Sequence, residues 1–280
     1  MNIAFVGLGS MGAPLARLIA RSGATISVYD EIPQAREKFD GIAVLTSSPA
    51  QAASGADVAC VCVRDDQQVR NVILGENGLV EGLPKGALIL IHSTIHIQTL
   101  HELKEALEPL EIGLLDAPIS RTRMTEDAPF VFTMFGGEVV EVERAKAVVS
   151  AFSTNVEHMG PLGAGMAVKI ANNLVTWVQL VIGAQAVSLT SYNGVDFDKL
   201  LEVMTANGNL TPIMRAMLAN KRIASTENDA FLLSQAGIGE KDLALAIESG
   251  RAAGIEMGLA EAARLVLLPV MTAPLQSILA

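Results

Sequence analysis

The stretch "VGLGSMG" at Val6–Gly12 carries three glycines, Gly7, Gly9 and Gly12, directly after the apolar run Ile3-Ala4-Phe5-Val6. Gly7-Leu8-Gly9-Ser10-Met11-Gly12 has the spacing G-x-G-x-x-G. A strand is expected before it and a helix after it, the setting in which this turn receives the pyrophosphate of a dinucleotide. The first glycine permits the tight turn. The second lets the backbone approach the phosphates, and the third lets the helix pack close to the strand. The helix N-terminus then attracts the anion. All six residues of the turn, Leu8, Ser10 and Met11 included, are expected cofactor contacts. Asp30 ends the next apolar run, in "ISVYDE". An acid about 20 residues beyond the turn accepts hydrogen bonds from the adenosine ribose hydroxyls and repels a 2′-phosphate, so NAD is expected over NADP. The competing reading is a structural glycine turn followed by a solvated acid.

Working outward, strand-like runs at 2–6, 25–29, 57–63, 87–91, 112–116 and 130–135 alternate with helix-period stretches at 14–21, 32–39, 67–74 and 97–107. That alternation implies a parallel sheet covered on both faces. A further helix at 139–152 and a short strand near 155–158 follow. "GPLGAG" at 160–165 then punctuates the chain, and beyond it no strand pattern recurs. One long helix over 167–192 and shorter ones at 196–206, 212–220, 240–253 and 258–268 are expected. The fold class is α/β: a Rossmann-type doubly wound sheet over 1–161, followed by an all-helical domain over 162–280.

The 280 residues are half apolar and carry a net charge of −10, so a large core can be buried and nucleic acid or an anionic membrane is not the expected partner. Cys60 and Cys62 in "VACVCV" point to one face of a strand, which suits a buried strand better than a disulfide. The start "MNIAFVGLG" shows no signal peptide, and a cytoplasmic location is expected. The most membrane-like segment, 174–189, contains Gln179, Gln185 and Ser188. It lacks a clean run of about 20 apolar residues, so a buried helix is expected there. His92, His96 and His101 straddle a strand end and the next helix without a second ligand cluster, and no metal site is expected. No P-loop, G-x-S-x-G or H-E-x-x-H pattern is present.

"GPLGAGMAVKIANN" places Lys169 and Asn173 four residues apart, on one helix face among small and apolar neighbours. Such a lysine is either a snorkelling surface residue or a desolvated functional amine. Its place just past the domain boundary, where the helix would look across a cleft at the nucleotide, keeps the second reading open beside the first. Dehydrogenation of an alcohol needs a base for the hydroxyl proton while hydride leaves carbon.

Six pieces in order resemble the β-hydroxyacid dehydrogenases, the family of 3-hydroxyisobutyrate dehydrogenase and tartronate semialdehyde reductase. They are "FVGLGSMGAPLARLI", "STI" at 93–95, "DAPIS" at 116–120, "MFGG" at 134–137, "GAGMAVKIANN" at 163–173 and "KDLALA" at 241–246. The resemblance implies a catalytic role for Lys169 and an assisting, substrate-side role for Asn173. It implies cofactor contacts for Thr94 and for Lys241 of the helical domain. Cys62, Val63 and Gln67 fall where the family's third nucleotide-contacting loop runs. Thr94 as a helix N-cap and Lys241 as an exposed helix charge are the plain alternatives.

The family's substrate loop continues D-A-P-[VI]-S-G-G. Here Arg121 and Thr122 follow Ser120 in place of the two glycines. Ser120, Arg121 and Thr122 are the expected substrate-binding residues. Arg121 either offers a guanidinium fork to a carboxylate or phosphate, or points to solvent. The chain also ends near the position matching Leu279, where relatives continue, so a trimmed last element is expected. The expected activity is hydride transfer between nicotinamide and a small anionic β-hydroxy acid or its semialdehyde. Reduction of an imine, of glyoxylate or of succinic semialdehyde is the sister reading, and a non-enzymatic nucleotide sensor the reading from another class. The apolar long helix suggests a homodimer or homotetramer.

Overall fold

Runs such as Val58–Val61 and Leu88–Ile91 are apolar at every position and buried at every position, as strands covered on both faces must be. The computed structural model describes residues 1–220 and 226–272. The chain forms two compact units, Met1–Lys169 and Ile170–Ala280.

In the first unit the order is β1 (Asn2–Val6), α1 (Gly12–Arg21), β2 (Thr25–Tyr29), α2 (Pro33–Glu37), β3 (Val44–Leu45), α3 (Pro49–Ala53), β4 (Val58–Val61) and α4 (Asp66–Leu74). There follow β5 (Leu88–Ile91), α5 (Ile97–Leu107), β6 (Gly113–Asp116), β7 (Ile119–Arg121), β8 (Val131–Gly136), α6 (Val139–Val149) and β9 (Ser153–Gly160). The sheet runs β3-β2-β1-β4-β5-β6-β8-β7, with β9 on the other side of β8. From β3 to β6 every pairing is parallel, because each crossover carries a helix, or for β2–β3 a helix and a turn. Leu15 and Ile19 of α1 are fully buried against it, each worth about 1.5–3 kcal/mol.

The expected parallel sheet is present, and it departs from the parallel pattern only at its far side. β8 pairs antiparallel with β6 and β7. The chain returns from β7 to β8 through a turn, with no helical crossover, and a strand that returns directly runs the other way. The short elements β3, α3 and β7 were not expected, since two to five residues carry too little periodicity to read.

The second unit is helical: α7 (Ala164–Tyr192) leads into it, then α8 (Phe197–Ala206), α9 (Pro212–Asn220), α10 (Thr226–Ala252) and α11 (Gly258–Thr272). Trp177, Leu180, Val181, Ala184 and Val187 of α7 pack in its core with Leu243, Leu267 and Met271. Among the described residues α7 is also the one helix long and apolar enough to cross a membrane. α10 begins well before the expected position 240. Gly237 and Gly239 lie inside it, and a Cβ on Gly239 would stand 2.8 Å from the Trp177 ring. Packing demands the glycine there, and the helix runs through it at a cost of about 1 kcal/mol. The expected trimming near Leu279 lies outside the described residues.

Candidate active site

The strand registers bring the carboxyl ends of β1, β2, β4, β5 and β6 into line: Val6 pairs with Tyr29 and Val61, Val61 with Ile91, and Ile91 with Asp116. The residues that follow these ends are Gly7–Gly12, Asp30, Cys62–Val63, His92–Thr94 and Ala117–Ser120. One edge of one sheet thus gathers most of the expected site residues of the first unit. In open α/β sheets ligands bind at this edge, where the strand order reverses, here between β1 and β4.

The glycine turn answers differently at each glycine. Gly7 has φ +95°, and a Cβ there would collide with the Cys62 carbonyl. A Cβ on Gly12 would collide with the Gly7 carbonyl, so helix and turn touch backbone to backbone. At Gly9 a Cβ would meet nothing within 4 Å. Among the described residues nothing crowds that exposed place, which leaves it open to an approaching ligand. α1 starts at Gly12 with no side-chain cap and no acid in its first turn, leaving its positive end for an external anion. The cradle therefore fits a dinucleotide pyrophosphate.

Asp30 accepts from Leu8 N–H at 2.6 Å through Oδ2 and from Ile32 N–H at 2.9 Å through Oδ1. It buttresses the turn it follows, and a carboxylate with about four lone-pair sites keeps capacity for ribose hydroxyls. Arg36, not singled out in the sequence, donates to the Asp30 carbonyl at 2.9 Å and stands over the Tyr29 ring.

The third loop is tied down by its neighbours. Val63 N–H donates to Ser93 Oγ at 2.9 Å. Asp66 accepts from His96 N–H and from Thr99 Oγ1, and lies 3.0 Å from His96 Nδ1. Burial works against the Asp66 charge, but these hydrogen bonds outweigh it and hold the carboxyl below its usual range. Burial pushes the Cys62 thiol up to about 12 and Cys60 further, so both stay protonated at neutral pH. The Cys62 group that meets the turn is its carbonyl. Gln67 is exposed and donates to Asn71 Oδ1 at 2.8 Å. Thr94 is half-buried beyond β5, and the N-cap of α5 is His96. His92 is buried, with Nδ1 donating to the Ala117 carbonyl at 2.8 Å, and burial lowers its pKa to about 4. His92 and His96 thus serve separate partners.

Lys169 Nζ donates to Ser120 Oγ at 3.2 Å. This joins the lysine of α7 to the middle residue of β7, four residues past Asp116. Arg121 does not point into solvent. Its guanidinium stands 4.9 Å over the Phe130 ring, pairs with Glu126 at 2.5 Å, and reaches Met11 Sδ of the glycine turn at 3.5 Å. Thr122 uses its hydroxyl on the Phe130 carbonyl and on Thr154, within the sheet, and does not join this group.

In the helical unit, Asn173 and Lys241 meet at a residue the sequence reading passed over. Asp242 is 2% exposed. Its Oδ2 accepts from Asn173 Nδ2 at 2.7 Å and from Trp177 Nε1 at 3.2 Å. Lys241 Nζ lies 3.0 Å from Asp242 Oδ1, an ion pair by distance whose direction falls outside hydrogen-bond geometry. The available signal was an acid inside "KDLALA", next to a lysine in an apolar helical run. Because a carboxylate only accepts, Asn173 must turn its NH₂ toward Asp242, which fixes the amide.

A doubly wound sheet with this glycine turn defines a dinucleotide-binding domain. The profile of the NAD binding domain of 6-phosphogluconate dehydrogenase matches residues 2–160, and that of the NAD-binding domain of NADP-dependent 3-hydroxyisobutyrate dehydrogenase matches residues 163–273. The 3-sulfolactaldehyde reductase of Escherichia coli is 30% identical, covering 94% of this chain and 87% of that one. The NAD-dependent L-serine dehydrogenase of Pseudomonas aeruginosa is 32% identical over 74% of this chain and 71% of its own. A solved 3-hydroxyisobutyrate dehydrogenase of Salmonella typhimurium superimposes with a TM-score of 0.83 at 25% identity, covering 96% and 93% of the two chains. The chain belongs to the β-hydroxyacid dehydrogenase family of NAD(P)-dependent enzymes.

Proposed function

We propose that this enzyme interconverts a small anionic β-hydroxy acid and its semialdehyde, with NAD(H) as cofactor. The observation that carries the reading is the Lys169–Ser120 contact at the carboxyl edge of the sheet. The Gly7–Gly12 turn and Asp30 would hold NAD(H), which would supply the hydride acceptor in oxidation and the hydride donor in reduction. Lys169 takes the hydroxyl proton as hydride leaves and gives it back in reduction. Ser120 holds the amine and the substrate oxygen in one line. Asn173, one helical turn beyond Lys169, orients the substrate, and Arg121 receives its anionic group. The name of the E. coli relative points to a sulfonate, and that of the Salmonella structure to a carboxylate. Both present paired oxygens to a guanidinium fork. The test is NADH oxidation against a panel of small semialdehydes bearing carboxylate or sulfonate. Turnover of at least one member is expected, and NADH binding without turnover of any overturns the reading.

Cofactor choice rests on Asp30 and Arg36. The Asp30 carboxylate faces the turn, where it repels a 2′-phosphate, while Arg36 is committed to the Asp30 carbonyl. NAD(H) is expected to bind at least about tenfold tighter than NADP(H), or about 1.4 kcal/mol. Calorimetry giving equal or reversed affinities assigns Arg36 to the 2′-phosphate instead.

The enzyme is further proposed to be a homo-oligomer through α7. Val175, Ile182 and Leu189 recur every seventh residue and are 54%, 51% and 65% exposed. No Asp, Glu, Lys or Arg occurs from Ile170 to Tyr192. A seven-residue apolar repeat keeps facing one partner helix, and an uncharged face suits a second copy of itself. Ile182→Glu is expected to split the assembly in light scattering. A monomeric wild type contradicts the proposal.

A further inference from the structure

We infer that Asp116 is the positioning residue for Lys169, its carboxylate anchoring the first turn of α7 to the end of β6. α7 has no cap of its own: Pro161, Leu162 and Gly163 ahead of it carry no side-chain acceptor. Its free amides need one, since the first four N–H groups of a helix have no intrahelical partner. Asp116 supplies it from far away in sequence. Oδ1 accepts from Gly163 N–H and Oδ2 from Met166 N–H, both at 2.7 Å.

The surroundings are cut to admit this carboxylate. A Cβ on Gly136, which pairs with Asp116 across the sheet, would collide with it. A Cβ on Gly165 would stand 2.9 Å from Asp116 Oδ2 and collide with the Met134 carbonyl. Asp116 is fully buried. Burial pushes its pKa up, and the amides of Gly163, Met166, Asp116 and Gly165 oppose that.

The geometric consequence falls on Lys169. Met166 precedes Lys169 by three residues on α7, and Asp116 precedes Ser120 by four on the other side. Both ends of the Lys169–Ser120 contact are thus referenced to one carboxylate. Loosening it lets the helix start drift, and a misplacement of about 1 Å costs a reacting group roughly a hundredfold. The acid's part is therefore aim, not proton transfer.

The inference rests on the proposed proton role of Lys169, and the experiment separates the two. Asp116→Asn keeps the shape but sets an NH₂ against a backbone N–H. Gly165→Ala keeps the acid and displaces the helix, and serves if Asp116→Asn does not fold. Either variant, assayed with the semialdehyde the panel identifies, is expected to lose roughly tenfold to a hundredfold in kcat. KM and NADH affinity should stay within about threefold, because the substrate anion and the glycine turn are held elsewhere. Hydrogen exchange over 163–169 should quicken in the same variants, a readout that needs no activity. Unchanged exchange, or kcat within about twofold of wild type in either folded variant, overturns the inference. Faster exchange together with an active Lys169→Ala enzyme leaves the anchor standing and sinks the proton role, and with it the inference.

Discussion

Replacing Lys169 with alanine is expected to cut turnover by roughly 10²–10⁴ while leaving cofactor affinity nearly intact. The amine donates to Ser120 Oγ. The cradle at Gly7, Gly9 and Gly12, backed by Asp30 on Leu8 N–H, is built without it. Lys169→Arg is not expected to rescue, since a guanidinium cannot release its proton at working pH. Steady-state kinetics beside an NADH titration on both variants check this. If the alanine variant keeps more than about a tenth of wild-type kcat, another group carries the proton.

Arg121→Gly restores the family's residue, and its expected effect is on binding. A hydrogen bond to a charged group contributes about 1.5–3 kcal/mol. KM should therefore rise by roughly tenfold to a hundredfold, while kcat moves less than about threefold. The variant also strips Glu126 of its partner and leaves a bare carboxylate in the loop. Glu126→Gln makes the opposite test. It frees the guanidinium from a competing acid, and KM should fall. Equal KM values across all three proteins would confine Arg121 to its stack on Phe130, a structural part.

How much of the site was readable follows from where each residue's partner lies. The turn from Gly7 to Gly12 was legible because its demands are local: a strand before, a helix after, and a backbone that must approach a ligand. Lys169 and Asn173 could be put forward together because helix spacing alone sets them on one side of α7; their partners, Ser120 and Asp242, were not readable. Arg121 was legible as a departure from a motif, but not its destination. Glu126 and Phe130 are near in sequence, whereas Met11 is reached only once β7 and the glycine turn share an edge.

The sequence by itself determined the alternation of strand and helix, the sharp change to helices after Gly160, the dinucleotide turn and the family. Each of these is written within windows of a few residues to a few tens, where burial period and backbone freedom decide. Tertiary structure alone decided the rest. It reversed β8, because a direct return from β7 leaves no room for a crossover. It carried α10 through Gly239, because Trp177 occupies the space where a side chain would stand. It set Asp116 under the start of α7, and Asp242 between Asn173 and Lys241. A buried carboxylate is tolerable only where donors converge on it from several elements, and convergence of that kind is a property of the packed chain, not of any stretch of it.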